Sequence, residues 1–298
     1  MYDIIIIGGG ISGLNCALEL SKDHNILLLD DRTYLGGRLY THKRPKYEVG
    51  GARFHKKHKL LCNLIKCYNL TCYPLDKQLD YLDKDKGIIK NANKEFNEMM
   101  NKVLVKGKKM SKEKLIQMTF KELCSEVYTS SEIKKLINIF GYTCEFEFFN
   151  AYNGLDTFSR DFGDQKYYVL GEGLSFLCEK IGNSIKTQGG TIYLNKMVKD
   201  VVKCDTCYNV CCDVGDYLGK KIIFAIKPHQ MEMFSILKPV KHLFKSVKAG
   251  KLLRIYAKFP IYKDGVWFKN MNRITTNSFL RHVIPISEED GLIMISYT

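Results

Sequence analysis

A strand-like apolar run that ends in glycine, Asp3 to Gly8 (DIIIIG), constrains this chain more than any other feature. A continuous run of this kind marks a parallel strand buried on both faces. Behind it, Ile11, Leu14, Ala17, Leu18 and Ser21 recur at helical spacing, and Asn25 to Asp30 (NILLLD) reads as a second buried strand that ends in an acid. Strand, glycine turn, helix and strand make a βαβ unit, whose crossover is right-handed. The turn reads Gly8-x-Gly10-x-x-Gly13, with Ile11 and Ser12 at the first helical positions. The first glycine permits the tight turn, the second lets backbone approach a pyrophosphate, and the third lets the helix pack closely. The helix N-terminus adds unpaired N–H groups and a positive dipole. Asp30, twenty-two residues after Gly8, ends the second strand, where a carboxylate accepts hydrogen bonds from ribose hydroxyls. Asp31 is the rival acid.

The rest of the chain changes character. From about Asn91 to Phe140 it reads as helices rich in Lys, Glu and Leu, with Ser111, Ser130 and Ser131 as candidate caps. A helix follows from about Leu174 to Gln188, ended by Gly189-Gly190. Strands are expected at Thr191 to Leu194 and at Lys220 to Ile226, the latter halted by Pro228. The tail alternates as strands: LLRIYAKF, VWF, RHVIPI and LIMISYT. The expected fold class is α/β, a Rossmann-like, doubly wound and mostly parallel sheet with an interleaved α+β domain. The nucleotide domain takes 1–75 and 160–235. The second, substrate domain takes 76–159 and 236–298.

Composition narrows the function classes. The chain has 298 residues, 45% hydrophobic and 26% charged, as in ordinary globular proteins. No run of eighteen apolar residues offers a membrane span. The apolar start lacks a basic n-region and leads into glycines, so it reads as a strand and not a signal peptide. The expected setting is cytoplasmic, with the nucleus as the other compartment allowed. The formal charge of +14 is spread over scattered lysines, dense only from Lys102 to Lys114, in a composition typical of AT-rich coding; no nucleic-acid partner is expected. Eleven cysteines without a secretory signal read as reduced thiols. Cys204, Cys207, Cys211 and Cys212 could suit zinc, but they sit on two short strands around a turn with no matching second pair, and neighbouring Cys211 and Cys212 point to opposite faces. No metal site is expected.

The glycine turn and acid do not separate NAD from FAD. The next residues do. Leu35-Gly36-Gly37-Arg38 begins shortly after Asp30, and Glu48-Val49-Gly50-Gly51-Ala52-Arg53-Phe54 comes soon after. In these residues the chain resembles the flavin amine oxidase superfamily, which includes monoamine and polyamine oxidases, flavin-type histone demethylases and protoporphyrinogen oxidase. The resemblance implies FAD as cofactor, with Asp30, Gly36, Gly37, Arg38, Gly50, Gly51, Ala52 and Arg53 along its pyrophosphate and flavin. Glycine pairs let backbone approach a planar ring, and arginines offset phosphate charge. Gly171-Glu172-Gly173-Leu174 and Thr191 to Val201 resemble later segments of the family, with Val198 at the position whose backbone meets adenine.

The resemblance implies an oxidase that removes hydride from a C–H bond next to an amine nitrogen, with dioxygen as final acceptor. The alternatives are a porphyrinogen- or carotenoid-type dehydrogenase of C–C bonds and a non-catalytic binding module. The partner is then a small molecule, an amine or an apolar ring compound, and a homo-oligomer stays open. Tyr142, Phe146, Phe148, Phe149, Tyr152, Tyr167 and Tyr168 lie in segments that could line a dry pocket, with ordinary packing the competing role. Glu145 and Glu147 could attract a polyamine or form a solvated strand face. The catalytic candidates are His55, which follows the flavin-facing stretch, and Arg254, aligned with a lysine that many family members place near the flavin. Arginine stays charged and cannot act as a base, which favours the C–C reading modestly. The chain closes on Ser296-Tyr297-Thr298, which resembles a segment upstream of the family's last flavin-binding motif. An incomplete flavin floor with weak cofactor retention is the corresponding expectation.

Overall fold

The computed structural model describes residues 1–75, 78–161, 166–247 and 249–297. It divides into two compact units, one of Met1–Pro74 with Tyr168–Lys248, the other of Leu75–Tyr167 with Ala249–Thr298.

The first unit is built on β1 (Tyr2–Ile7), α1 (Ile11–Leu20) and β2 (Ile26–Leu29). Its six-stranded sheet runs in the order Thr191–Tyr193, β2, β1, Asp216–Phe224, Tyr208–Cys212, Val198–Lys203. The first three pairings are parallel and the two at the hairpin end antiparallel. The two strand faces bury different partners. Ile4, Ile6, Ile26 and Leu28 pack with Leu14, Ala17 and Leu18 of α1 and with Leu177, Ile181 and Ile185 of the helix Leu174–Thr187. Ile5, Ile7, Leu27 and Leu29 pack with Val198, Val201, Val210 and Phe234. Each such side chain contributes about 1.5–3 kcal/mol of burial. That two-sided demand is why DIIII and ILLL carry no polar alternation.

The second unit has its own six-stranded sheet, in the order Arg254–Lys258, Leu292–Tyr297, His282–Ser287, Arg273–Thr276, Leu79–Asp83, Gly87–Ile89. All its pairings are antiparallel except Arg273–Thr276 with Leu79–Asp83, where Arg273 stands opposite Leu79. Helices Ala92–Gly107 and Ser130–Phe140 enclose a core with Phe96, Leu123, Leu136, Phe146 and Phe158.

Several expectations are corrected here. Val266-Trp267-Phe268 is a turn, not a strand; Val266 and Phe268 are buried beside Ile293, while Trp267 points outward. The strand at 273–276 takes its place in the sheet. Ser111 caps its helix, accepting from the Lys114 N–H, but Ser130 and Ser131 do not cap theirs. Thr129 does, in a reciprocal capping box with Glu132 that puts both serines inside the helix. Glu145 and Glu147 lie on the short helix Cys144–Glu147, not on a strand, and Glu147 pairs with Lys121 at 3.4 Å. Phe146 is core, whereas Phe148, Phe149 and Tyr152 are exposed. Thr298, the last residue of the expected LIMISYT strand, lies outside the described residues.

Candidate dinucleotide site

The site grows out of the turn that follows β1. Gly8 has φ +112°, a conformation L side chains rarely adopt, and a Cβ there would come within 2.7 Å of the Ala225 carbonyl oxygen. Gly13 is tighter still: a Cβ would stand 1.9 Å from the carbonyl oxygen of Gly8. These two glycines let α1, β1 and the end of Asp216–Phe224 meet. Gly10 is different. It precedes α1 with ordinary extended dihedrals, and a Cβ built there meets nothing within 4 Å. Its bareness serves the space in front of it, not the fold behind it. α1 has no side-chain cap and no acid in its first turn, so its N–H groups and dipole point at that space.

Asp30 is 9% exposed, and its two carboxylate oxygens accept from different loops. Oδ2 accepts from the Gly9 N–H at 2.5 Å and Oδ1 from the Arg32 N–H at 2.9 Å. Burial pushes its carboxyl above the usual aspartate value, and the two N–H donors pull the other way. The second glycine pair closes on the first: Gly36 N–H donates to Gly9 O at 2.8 Å, and Gly37, at φ +60°, approaches the Gly10 Cα. Arg32 Nη1 donates to Gly37 O at 3.0 Å and to the Tyr34 hydroxyl. Gly51 N–H donates to Arg38 O at 3.0 Å, an approach possible only because Gly50 has no Cβ, which would fall 1.6 Å from that same oxygen.

These segments border a cleft of about 730 Å³. Gly8, Gly10, Ile11, Ser12, Asp30, Asp31, Gly36, Gly37, Arg38, Gly51 and Val198 all line it. Gly13 packs behind it, and Gly50, Ala52 and Arg53 are not among its lining residues. Val198 begins an edge strand, beside a register shift, where alternate backbone groups lie outside the ladder. The apolar wall there is completed by Met197, Phe224, Ile226, Met233 and Phe234, and positive charge comes from Arg32, Arg38, Lys196 and Lys227. Lys196 directs its Nζ to Val214 O at 3.0 Å. Sequence reasoning missed the Gly9 donor, Arg32 and the Met233–Phe234 wall. Arg32 was findable as the cation directly after the acids; the wall left no local signal.

Neither catalytic candidate is among the lining residues of this cleft. His55 is 1% exposed; its Nδ1 accepts from the Lys57 N–H at 3.1 Å and its ring lies 3.9 Å from that of His58. It is not among the cleft residues, because the short strand Phe54–His55 turns it inward to close a loop. Arg254 starts a strand of the second unit, with Nη2 donating to the Tyr297 hydroxyl at 2.9 Å and its guanidinium 4.4 Å from that ring. Burial disfavours its charge, but the tyrosine contacts outweigh this and hold it protonated. Among the described residues no cluster of three or more His, Cys, Asp or Glu could hold a metal, and no helix is long and apolar enough to cross a membrane.

A crevice with a bare glycine at a helix N-terminus, a buried acid beyond it and an apolar far wall defines a dinucleotide-binding α/β protein. Residues 6–64 match the family model of the NAD(P)-binding Rossmann-like domain. The chain is 42% identical over 64 residues to (S)-6-hydroxynicotine oxidase of Paenarthrobacter nicotinovorans, covering 20% of this chain and 15% of that protein. It is 39% identical over 80 residues to flavin-containing amine oxidase A of Equus caballus, covering 26% and 15%. The matched stretches thus span only a small part of those relatives' length. In fold, it aligns with a redesigned putrescine oxidase at a TM-score of 0.78 and 15% identity, over 98% of this chain and 74% of that one. With the glycine and arginine pattern, these matches make the chain similar to flavin-containing amine oxidases over its first part, which points to FAD as the dinucleotide, and the likeness in fold extends over nearly the whole chain.

Proposed function

We propose that the chain binds FAD in this cleft and serves as an amine oxidase-like oxidoreductase acting on a small-molecule amine. The observation that carries the reading is the joint placement of Gly10 and Asp30 on one cleft, the first leaving room for phosphate and the second offering a carboxylate to a ribose. In this reading the N–H groups of Ile11 and Ser12 receive the pyrophosphate, and Arg32 and Arg38 balance its charge. Asp30 accepts from the ribose hydroxyls while Gly9 and Arg32 fix its orientation. Val198 and the wall around Phe234 take the adenine. Gly36, Gly37, Gly50 and Gly51 let the backbone come close to the isoalloxazine end, with Ala52 and Arg53 following. FAD supplies the acceptor for the hydride from the C–H bond next to the amine nitrogen. The second unit serves as the substrate domain.

The test is anaerobic. Purified full chain loaded with FAD is mixed with spermine, benzylamine or protoporphyrinogen, and loss of the oxidised flavin absorbance is followed. Bleaching by an amine supports the reading. Bleaching by the porphyrinogen alone moves the substrate to the C–C class, and no bleaching by any of the three counts against an oxidase.

A further inference from the structure

The cysteines set aside as a metal site have a different use. Strands Val198–Lys203 and Tyr208–Cys212 form an antiparallel hairpin whose last ladder pair is Lys203 opposite Tyr208. The next residues inward, Cys204 and Cys207, therefore face each other across Asp205-Thr206, and Cys204 N–H donates to Cys207 O at 2.8 Å. Directly opposed residues of such a ladder stand about 4.5–5.5 Å apart at Cα. A disulfide spans about 4.4–6.8 Å. Cys204 is exposed and Cys207 half-buried, in contrast to Cys124 and Cys178, which are buried in the cores.

We infer that Cys204 and Cys207 are a dithiol modification site that a hydroperoxide converts to a disulfide across the hairpin turn. The Cys204 thiolate attacks a peroxide oxygen, breaking the O–O bond and giving a sulfenic acid and hydroxide. Cys207 then attacks that sulfur, forming the S–S bond and expelling a second hydroxide. The two thiol protons neutralise both hydroxides, so two thiols and one hydrogen peroxide give one disulfide and two waters. Two further features favour the pair over single thiols. Cys204 is the more exposed of the two and so the thiol a peroxide meets first, while burial pushes the Cys207 thiol up and leaves it the less reactive toward peroxide. The two-residue turn also holds the two cysteine backbones opposite each other. The inference does not depend on FAD or on turnover.

The experiment uses the full chain, reduced, freed of reductant and treated with equimolar hydrogen peroxide. It is then alkylated and cleaved after Lys203 and Tyr208, which separates this pair from Cys211 and Cys212. The expected result is a Cys204–Tyr208 peptide two hydrogens lighter and unalkylated, restored to two alkylated cysteines by dithiothreitol. In Cys207→Ser, Cys204 should instead carry a sulfenic acid that a 1,3-dione traps. A doubly alkylated wild-type peptide, joining of either cysteine to Cys211 or Cys212, or no trapped sulfenic acid in the variant would overturn the assignment.

Discussion

The backbone N–H of Gly9 donates to Oδ2 of Asp30 at 2.5 Å, tying the glycine turn to the acid that ends β2. The glycine turn and the acid are therefore one preorganised piece, because neither loop can move relative to the other without breaking this bond. Both oxygens of Asp30 keep a lone pair for a further donor, since each accepts one protein N–H.

Gly10→Val separates binding from folding. Its dihedrals suit any residue and the space around it is open, so the melting temperature should stay within a few degrees of wild type. The added methyls fill the phosphate space, and FAD affinity should fall about 100-fold or more, a loss near 3 kcal/mol. Fluorescence titration with FAD reads the second effect and calorimetry the first.

Gly13→Val does the opposite. Its Cβ would overlap the Gly8 carbonyl oxygen at 1.9 Å, so α1 must move off β1. A destabilisation of about 2–4 kcal/mol is expected in denaturant unfolding, with FAD left out of the buffer.

Asp30 sets a pH dependence. Its folded value lies above the ordinary one, so ionised Asp30 costs the empty fold stability above that value, and protonation relieves the cost as pH falls. Ribose hydroxyls need the ionised form. FAD affinity should therefore decline on acidification through a pH above the ~3.9 of an unperturbed aspartate. Asp30→Asn should bind about 10-fold or more weaker at neutral pH and lose that step. Affinity measured by titration from neutral to mildly acidic pH checks both.

Thr129→Ala should cost about 1 kcal/mol, because Thr129 and Glu132 cap the helix Ser130–Phe140 reciprocally. Ser130→Ala should change stability by less than about half of that, since Ser130 is inside the helix. Chemical denaturation of the two variants side by side decides between them.

What the sequence disclosed follows from where its signals are local. β1, the glycine turn and β2 were legible because two-faced burial writes an unbroken apolar run and a phosphate turn needs glycine at fixed spacing. The pairing of Leu79–Asp83 with Arg273–Thr276 was not, since the partners lie far apart in the chain and nothing near either one names the other. Trp267 misled for a related reason: an apolar triplet reads as a strand, but here alternate residues are buried by a turn. Thr129-x-x-Glu132 was visible and passed over in favour of the neighbouring serines. That Asp30, Gly10 and Val198 border one cleft was readable from spacing and resemblance. The inward turn of His55 and the wall at Phe234 depend on tertiary packing that no short motif encodes.

The most direct test of the account is the amount of flavin carried by the purified full chain after incubation with FAD and gel filtration, with Gly10→Val in parallel. The account predicts FAD, identified by mass after heat release, on the wild-type chain and almost none on the variant. Equal flavin on both, or none on either at saturating FAD, would contradict the placement of the cofactor at the Gly8–Gly13 turn.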